Sequence, residues 1–181
     1  MKTLNEAINE AKTQLSEMIE KLHSFEFPKA ITIQFETSCI NVDEIVKEVP
    51  TGSSEEDYIY FLKVVGKVNT NTELFNLLEN EKNTHIEEKK KDLPRINTDH
   101  KGTQYLYVGR SQKLRTRLRQ HLGSNYVGTY GLHMQRWAQG INEKIEIQYY
   151  KLDQQDNLLV QAVEDSLWLK LKPAFGRKGD K

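Results

Sequence analysis

Apolar residues spaced three and four positions apart form the first regular pattern along the chain, and they predict an amphipathic helix over residues 3–24. Apolar and polar residues then alternate in "ITIQFE", which predicts a strand over 31–36. The polar segment "TGSSEED" follows a short predicted helix and marks a boundary between an N-terminal helix–strand extension, 1–54, and a main domain, 55–181. The apolar side of the first helix consists of Leu4, Ile8, Ala11, Leu15, Met18 and Leu22.

The main domain contains three runs of β-branched and aromatic residues, which predict strands over 58–65, 103–109 and 144–151. Apolar residues at helical spacing predict helices over 72–92, 113–122, 129–140 and 157–173, with Gly123 as the cap after the second of them and with Leu132, Trp137 and Trp168 in the core. These elements predict an α+β fold in which a small, mostly antiparallel three-stranded sheet is flanked by helices. The first two strands are separated by an insertion at about 67–102.

The charge of the chain is unevenly distributed, although its formal net charge is zero. Residues 1–100 hold 12 basic and 19 acidic residues, a net of −7, whereas residues 101–181 hold 14 and 7, a net of +7. From Lys101 to Asn142 there are seven basic residues and no acid, and four arginines and Lys113 lie between positions 110 and 119. Such a block is typical of a surface that binds a polyanion, and the ordinary alternative is a solvated helix face.

Cys39 is the single cysteine, so the chain has no internal disulfide, which fits a reducing compartment. The first residues include acids and lack the apolar segment of a signal peptide. No apolar run approaches the roughly 20 residues that span a bilayer. We therefore expect a cytoplasmic protein without a membrane partner.

Four features of residues 58–176 resemble one enzyme family. The triplet "YVG" at 107–109 closes a predicted strand, and Arg117 follows Tyr107 by ten residues on the next helix. "YIY" at 58–60 is a similar triplet on the preceding strand, and Glu164 lies in the helix "AVEDSLWLKLKPAF". In these motifs the chain resembles the GIY-YIG nuclease family, and restriction-type or phage-encoded members are the nearest in organisation.

This resemblance implies a DNA endonuclease that hydrolyses phosphodiester bonds with Mg²⁺ or Mn²⁺. It implies that Glu164 holds the metal and that Tyr60, Tyr107, Arg117 and Glu164 are catalytic. We add His121 to these catalytic candidates, since it lies four residues from Arg117 on the same helix. From the basic block we expect the DNA phosphates to be bound by Arg110, Lys113, Arg115, Arg119 and His133.

The residue types suit this chemistry. A guanidinium grips phosphate oxygens, and one carboxylate can hold a Mg²⁺ that keeps most of its waters. A tyrosine can act as a base only if nearby cations lower its pKa from about 10. Arg117 and His121 lie four residues apart on one face of the predicted helix. Leu114 and Leu118 lie on a neighbouring face and would anchor the helix to the core.

Other interpretations stay open. Tyr58 stands where the family has a glycine, about 45 residues separate the two tyrosine strands, and Gly176 lies near the place of an asparagine. These departures motivate a second hypothesis, a catalytically inactive nucleic-acid-binding module on the same scaffold, although Tyr107, Arg117 and Glu164 are retained. The acidic first half could instead be an inhibitory or partner-binding arm. The sequence determines neither the DNA target nor whether the protein is a homodimer.

Overall fold

The computed structural model describes residues 2–26, 28–66, 68–87, 93–124, 128–153 and 157–179. Within these residues one sheet is formed by four strands, β1 (Ile31–Glu36), β2 (Glu56–Val64), β3 (Tyr105–Ser111) and β4 (Lys144–Asp153). The helices are α1 (Lys2–His23), α2 (Val42–Ile45), α3 (Val68–Glu87), α4 (Leu114–Leu122) and α5 (Asn157–Leu171). The strand order is β1-β4-β2-β3, and each neighbouring pair is antiparallel. The predicted α+β class and the antiparallel sheet are therefore confirmed.

The predicted number of three strands was wrong, because the described part of the chain places a fourth strand in the sheet. β1 pairs with β4 along its whole length, with Ile31 opposite Tyr149 and Phe35 opposite Ile145. In β1, Phe35 is buried in the core and Ile33 packs against it, whereas Thr32, Gln34 and Glu36 are exposed. The local pattern predicted this strand correctly but carried no information about its partner, since pairing depends on a segment more than a hundred residues away.

The strands predicted at 58–65 and 103–109 are neighbours, as expected. β2 and β3 run antiparallel, and Tyr60 lies directly opposite Gly109. The segment between these strands, which was expected to be an insertion, contains α3, and this helix packs into the main core through Leu74, Phe75 and Leu78. The insertion therefore contributes to the same hydrophobic core as the sheet.

Two local predictions differ from the structure. The helix expected over 129–140 is replaced by two 3-10 turns, Met134–Arg136 and Ala138–Gly140, because His133 takes a left-handed conformation at φ 51° immediately before the first turn. Gly123 ends α4 at φ −75°, so it is not the left-handed cap that its position indicated.

The two tryptophans that were expected in the core differ in burial. Trp137 is buried as expected, whereas Trp168 is half-buried beside His100. Residues 88–92 of the predicted insertion helix lie outside the described residues. None of the described helices has the length and apolar character needed to cross a membrane.

Candidate active site

The two tyrosines of the triplets stack beside Gly109, which lies opposite Tyr60 in the sheet and two residues after Tyr107 on β3. The rings of Tyr60 and Tyr107 lie 6.1 Å apart with an interplanar angle of 18°. A Cβ atom at Gly109 would lie 2.7 Å from Cε1 of Tyr107 and 3.0 Å from the hydroxyl oxygen of Tyr60. Any larger residue at this position would displace both rings, which gives a physical reason for the glycine of the triplet.

A second glycine approaches Tyr107 from the other edge of its ring. Gly176 has φ +96°, and a Cβ there would lie 2.8 Å from Cε2 of Tyr107. Asn97 holds this loop in place, since its Nδ2 donates to the carbonyls of Pro173 at 3.0 Å and of Gly176 at 3.1 Å. Sequence reasoning missed Asn97, and it interpreted Gly176 only as a departure from the family pattern.

Arg117 lies on α4 with its guanidinium directed at Tyr107. The helix is anchored by Leu114, Leu118 and Leu122, which are fully buried. Nη2 of Arg117 donates to the Tyr107 hydroxyl at 3.1 Å, and Nη1 donates to Oε1 of Gln120 at 2.9 Å. Nη2 also donates to the carbonyl of Tyr130 at 3.2 Å. These partners restrict the guanidinium to one orientation.

His121 and Tyr60 form a buried pair behind Tyr107. Nε2 of His121 lies 2.9 Å from the Tyr60 hydroxyl, and the backbone N–H of Leu132 donates to Nδ1 at 3.1 Å. Because Nδ1 accepts this bond, the neutral ring carries its proton on Nε2 and donates it to Tyr60. Burial, with smaller contributions from Arg117 and His133, holds the pKa of His121 well below 6.5. Burial has the opposite effect on Tyr60, whose pKa it raises. Both shifts favour the neutral form, so Tyr60 keeps its proton and His121 stays uncharged.

Glu164 lies on α5 and pairs with an arginine of β3. Nε of Arg110 is 3.3 Å from Oε2 of Glu164, whose side chain is 13% exposed. Burial raises the pKa of Glu164, while Arg110 acts in the opposite direction. The neighbouring Asp165 accepts a hydrogen bond from Gln161 at 3.0 Å. Of this adjacent pair of acids, Glu164 therefore pairs with a cation, whereas Asp165 bonds to a neutral amide.

Three of the five predicted catalytic residues line one pocket of about 550 Å³. Tyr107, Arg117 and Glu164 lie on its wall, together with Tyr130 and Gly176. Tyr60 and His121 are fully buried and support Tyr107 from behind. The pocket also contains cations that sequence reasoning missed, namely Lys82, Arg95, Arg177 and Lys178.

The residues predicted to bind phosphates are not among those that line the pocket, and several are engaged with the protein itself. Arg115 donates to the carbonyls of Val49 at 2.6 Å and of Lys47 at 3.2 Å. Arg119 pairs with Asp43 at 2.8 Å. The remaining positions are as follows: Arg110 pairs with Glu164, His133 is fully buried, and Lys113 is exposed at the start of α4.

Within the described residues, no group of three or more His, Cys, Asp or Glu side chains converges as a metal cage would. Comparisons of the chain with protein-family models, with curated proteins and with solved structures return no match.

Proposed function

We propose that the protein is a metal-dependent DNA endonuclease that hydrolyses phosphodiester bonds at the pocket of Tyr107, Arg117 and Glu164. The observation that supports this proposal is their convergence: a tyrosine hydroxyl, a fixed guanidinium and a largely buried carboxylate from three different elements line the same cavity. Phosphodiester hydrolysis requires groups that stabilise the charge on the phosphate and groups that orient a water molecule, and these three side chains are of suitable types.

Each residue has a distinct proposed role. Arg117 binds the non-bridging oxygens of the scissile phosphate, since its fork is held rigid by Tyr107 and Gln120. The hydroxyl of Tyr107 accepts a hydrogen bond from Arg117 and can donate one of its own toward the pocket. Tyr60 and His121 position Tyr107 and do not contact the substrate.

Glu164 is the residue that would hold the metal. Mg²⁺ is commonly bound through one or two carboxylates while it keeps several waters, so a single carboxylate on the wall of an open polar pocket fits it. When bound, the ion would neutralise phosphate charge and activate a water molecule. Arg110 pairs with the same carboxylate, so its guanidinium would have to move away when the ion binds.

The contact between Arg110 and Glu164 also favours the second candidate, a catalytically inactive nucleic-acid-binding module. In that case Arg110 neutralises Glu164 permanently, and the basic pocket binds DNA without cutting it. The two functions make different predictions for cleavage but the same prediction for affinity.

Plasmid cleavage with Mg²⁺ and with Mn²⁺ tests the proposal. Glu164→Ala should abolish cleavage and leave DNA affinity intact or higher, because a negative charge beside the phosphate is removed. Arg117→Ala should lower the rate of the chemical step by at least about 10²–10³, and Arg117→Lys should not restore it. The matched control is Asp165→Asn, which should cleave normally. A native chain that binds DNA but never cleaves it would support the inactive module instead.

A further inference from the structure

Cations from three separate segments form one wall of the candidate active-site pocket. Lys82 projects from α3, Arg95 follows Pro94, and Arg177 comes after α5. A backbone hydrogen bond joins the segments of Arg95 and Arg177, since the N–H of Gly176 donates to the carbonyl of Arg95 at 2.8 Å. Nζ of Lys82 donates to the carbonyl of Pro94 at 2.8 Å. These bonds fix the three segments relative to one another, so the fold itself brings the three cations to the pocket.

The cations are close enough to repel one another. Burial lowers the pKa of Lys82, and the charges of Arg177 and Arg95 lower it further. Holding like charges together costs free energy, and an anion bound between them would offset that cost. The wall is continuous with Arg117 through the same pocket, so the anion it suits is one that extends beyond a single phosphate.

We propose that Lys82, Arg95 and Arg177 form a second phosphate subsite, which binds a DNA backbone phosphate adjacent to the one at Arg117. This proposal rests on the proposed nuclease function for its choice of DNA. It assigns a role to the insertion at about 67–102, which supplies two of the three cations. The insertion thereby forms part of the substrate site, in addition to its place in the core.

The salt dependence of duplex DNA binding tests this subsite in the absence of divalent metal, so that cleavage does not interfere. In the double variant Arg95→Ala/Arg177→Ala, the slope of log K against log salt should flatten by about 0.9 per lost contact, or about 1.8 in all. Both side chains are exposed, so the variant should fold normally. Lys82→Ala should flatten the slope by about one unit. The control Lys170→Ala, on an exposed part of α5, should leave it unchanged.

An unchanged slope in both cation variants would overturn the subsite. If Glu164→Ala abolishes cleavage while those slopes stay unchanged, the subsite fails and the nuclease function stands. If the slopes flatten but no metal supports cleavage, the subsite stands and the nuclease function fails. Tighter binding to an RNA duplex of the same sequence would overturn the assignment to DNA.

A second inference comes from α1, where an apolar stripe is exposed along the helix. The exposed fractions are 66% for Leu4, 44% for Ile8 and 58% for Leu15, and Leu22 is exposed as well. The apolar positions follow one another at steps of four, three, four, three and four residues. Each pair of successive steps adds up to seven residues, and this heptad repeat keeps one seam facing a partner helix in a left-handed coiled coil.

The polar residues of α1 agree with this seam. In heptad notation, Ile8, Leu15 and Leu22 occupy the a positions, and Leu4, Ala11 and Met18 occupy the d positions. The acidic residues are on the outer c and f positions, namely Glu6, Glu10, Glu17 and Glu20. An amphipathic helix that binds anionic membranes has a polar face rich in Lys and Arg, so this face does not suit a lipid surface.

We infer that α1 pairs in parallel with α1 of a second copy of the chain. In a parallel pair, Lys12 at an e position faces Ala7 at a g position of the other copy. An antiparallel pair would bring the two Lys12 side chains together, and like charges disfavour that arrangement. Because three heptads form a marginal coiled coil, the dimer should dissociate on dilution.

Sedimentation equilibrium of the full chain over a wide concentration range tests this pairing. The native protein should show a monomer–dimer equilibrium, and Leu15→Glu should be monomeric throughout. The matched control, Thr13→Glu, places the same charge at an outer position and should dimerise like the native chain. A native chain that is monomeric at every concentration would overturn the inference, as would binding to anionic vesicles that Leu15→Glu abolishes.

Disulfide trapping in a Cys39→Ser background tests the orientation. Ile8→Cys alone should cross-link efficiently, since the two a positions face each other in a parallel pair. If only the double variant Ile8→Cys/Met18→Cys cross-links between copies, the helices are antiparallel and the inferred orientation is wrong.

Discussion

The hydroxyl of Tyr60 accepts a hydrogen bond from Nε2 of His121 at 2.9 Å, inside the protein and behind the pocket. The direction of this bond is set by the backbone N–H of Leu132, which donates to the other ring nitrogen. Both rings also contact the ring of Tyr107. In the function proposed above, Tyr60 and His121 therefore position Tyr107, although both were expected to be catalytic.

Tyr60→Phe should lower the free energy of unfolding by about 1–3 kcal/mol, because the buried Nε2–H of His121 loses its acceptor. Urea unfolding followed by circular dichroism measures this change. Tyr105→Phe, on the same pair of strands, is the control and should change stability by less than about 0.5 kcal/mol. Equal effects of the two substitutions would show that the hydrogen bond contributes nothing beyond ring packing.

Stability should decline as the pH falls below 6.5, the ordinary pKa of histidine. In the folded state the pKa of His121 is held lower, so the unfolded chain binds a proton that the folded chain does not. Each pH unit in this window costs about 1.4 kcal/mol. His121→Gln should flatten the profile measured by thermal unfolding, and His23→Gln, at an exposed position, should leave it unchanged. An identical profile in His121→Gln would mean that His121 does not titrate abnormally.

Arg110→Ala should tighten metal binding at pH 8, because the cation that competes for Glu164 is removed. A partly exposed ion pair is worth up to about 1 kcal/mol, which corresponds to an affinity gain of up to about fivefold. Calorimetric titration with Mn²⁺ measures this gain. Arg119→Ala, which breaks the pair with Asp43, is the control and should not change metal affinity. Weaker metal binding in Arg110→Ala would argue against Glu164 as the ligand.

Arg115→Ala should act on stability and leave DNA affinity nearly unchanged. Its guanidinium donates to the carbonyls of Val49 and Lys47 and so ties α4 to the N-terminal part of the chain. We expect a loss of about 1–2 kcal/mol on unfolding. Lys113→Ala, at the exposed start of α4, should do the reverse, with normal stability and weaker DNA binding. A large loss of DNA affinity in Arg115→Ala at native stability would restore the original interpretation of this residue.

The sequence by itself determined most of the elements and the central contact of the site. The hydrophobic periods located α1, β1, β4 and α5, since these depend on local alternation or helical spacing. The ten-residue interval from Tyr107 to Arg117 crosses one turn between a strand and a helix, so the two side chains meet through local geometry. Their contact at 3.1 Å was therefore within reach of sequence reasoning.

Only the tertiary structure decided which of these parts come together over long distances. β1 joins the sheet by pairing with β4, and no local sequence pattern predicts that pairing. Lys82 and Arg177 reach one pocket although they are far apart in the sequence. Arg115, by contrast, donates to the backbone carbonyls of Val49 and Lys47. A basic residue has the same appearance in a sequence whether it faces DNA, a carboxylate or a carbonyl, because its partner is set by chain packing and not by its neighbours.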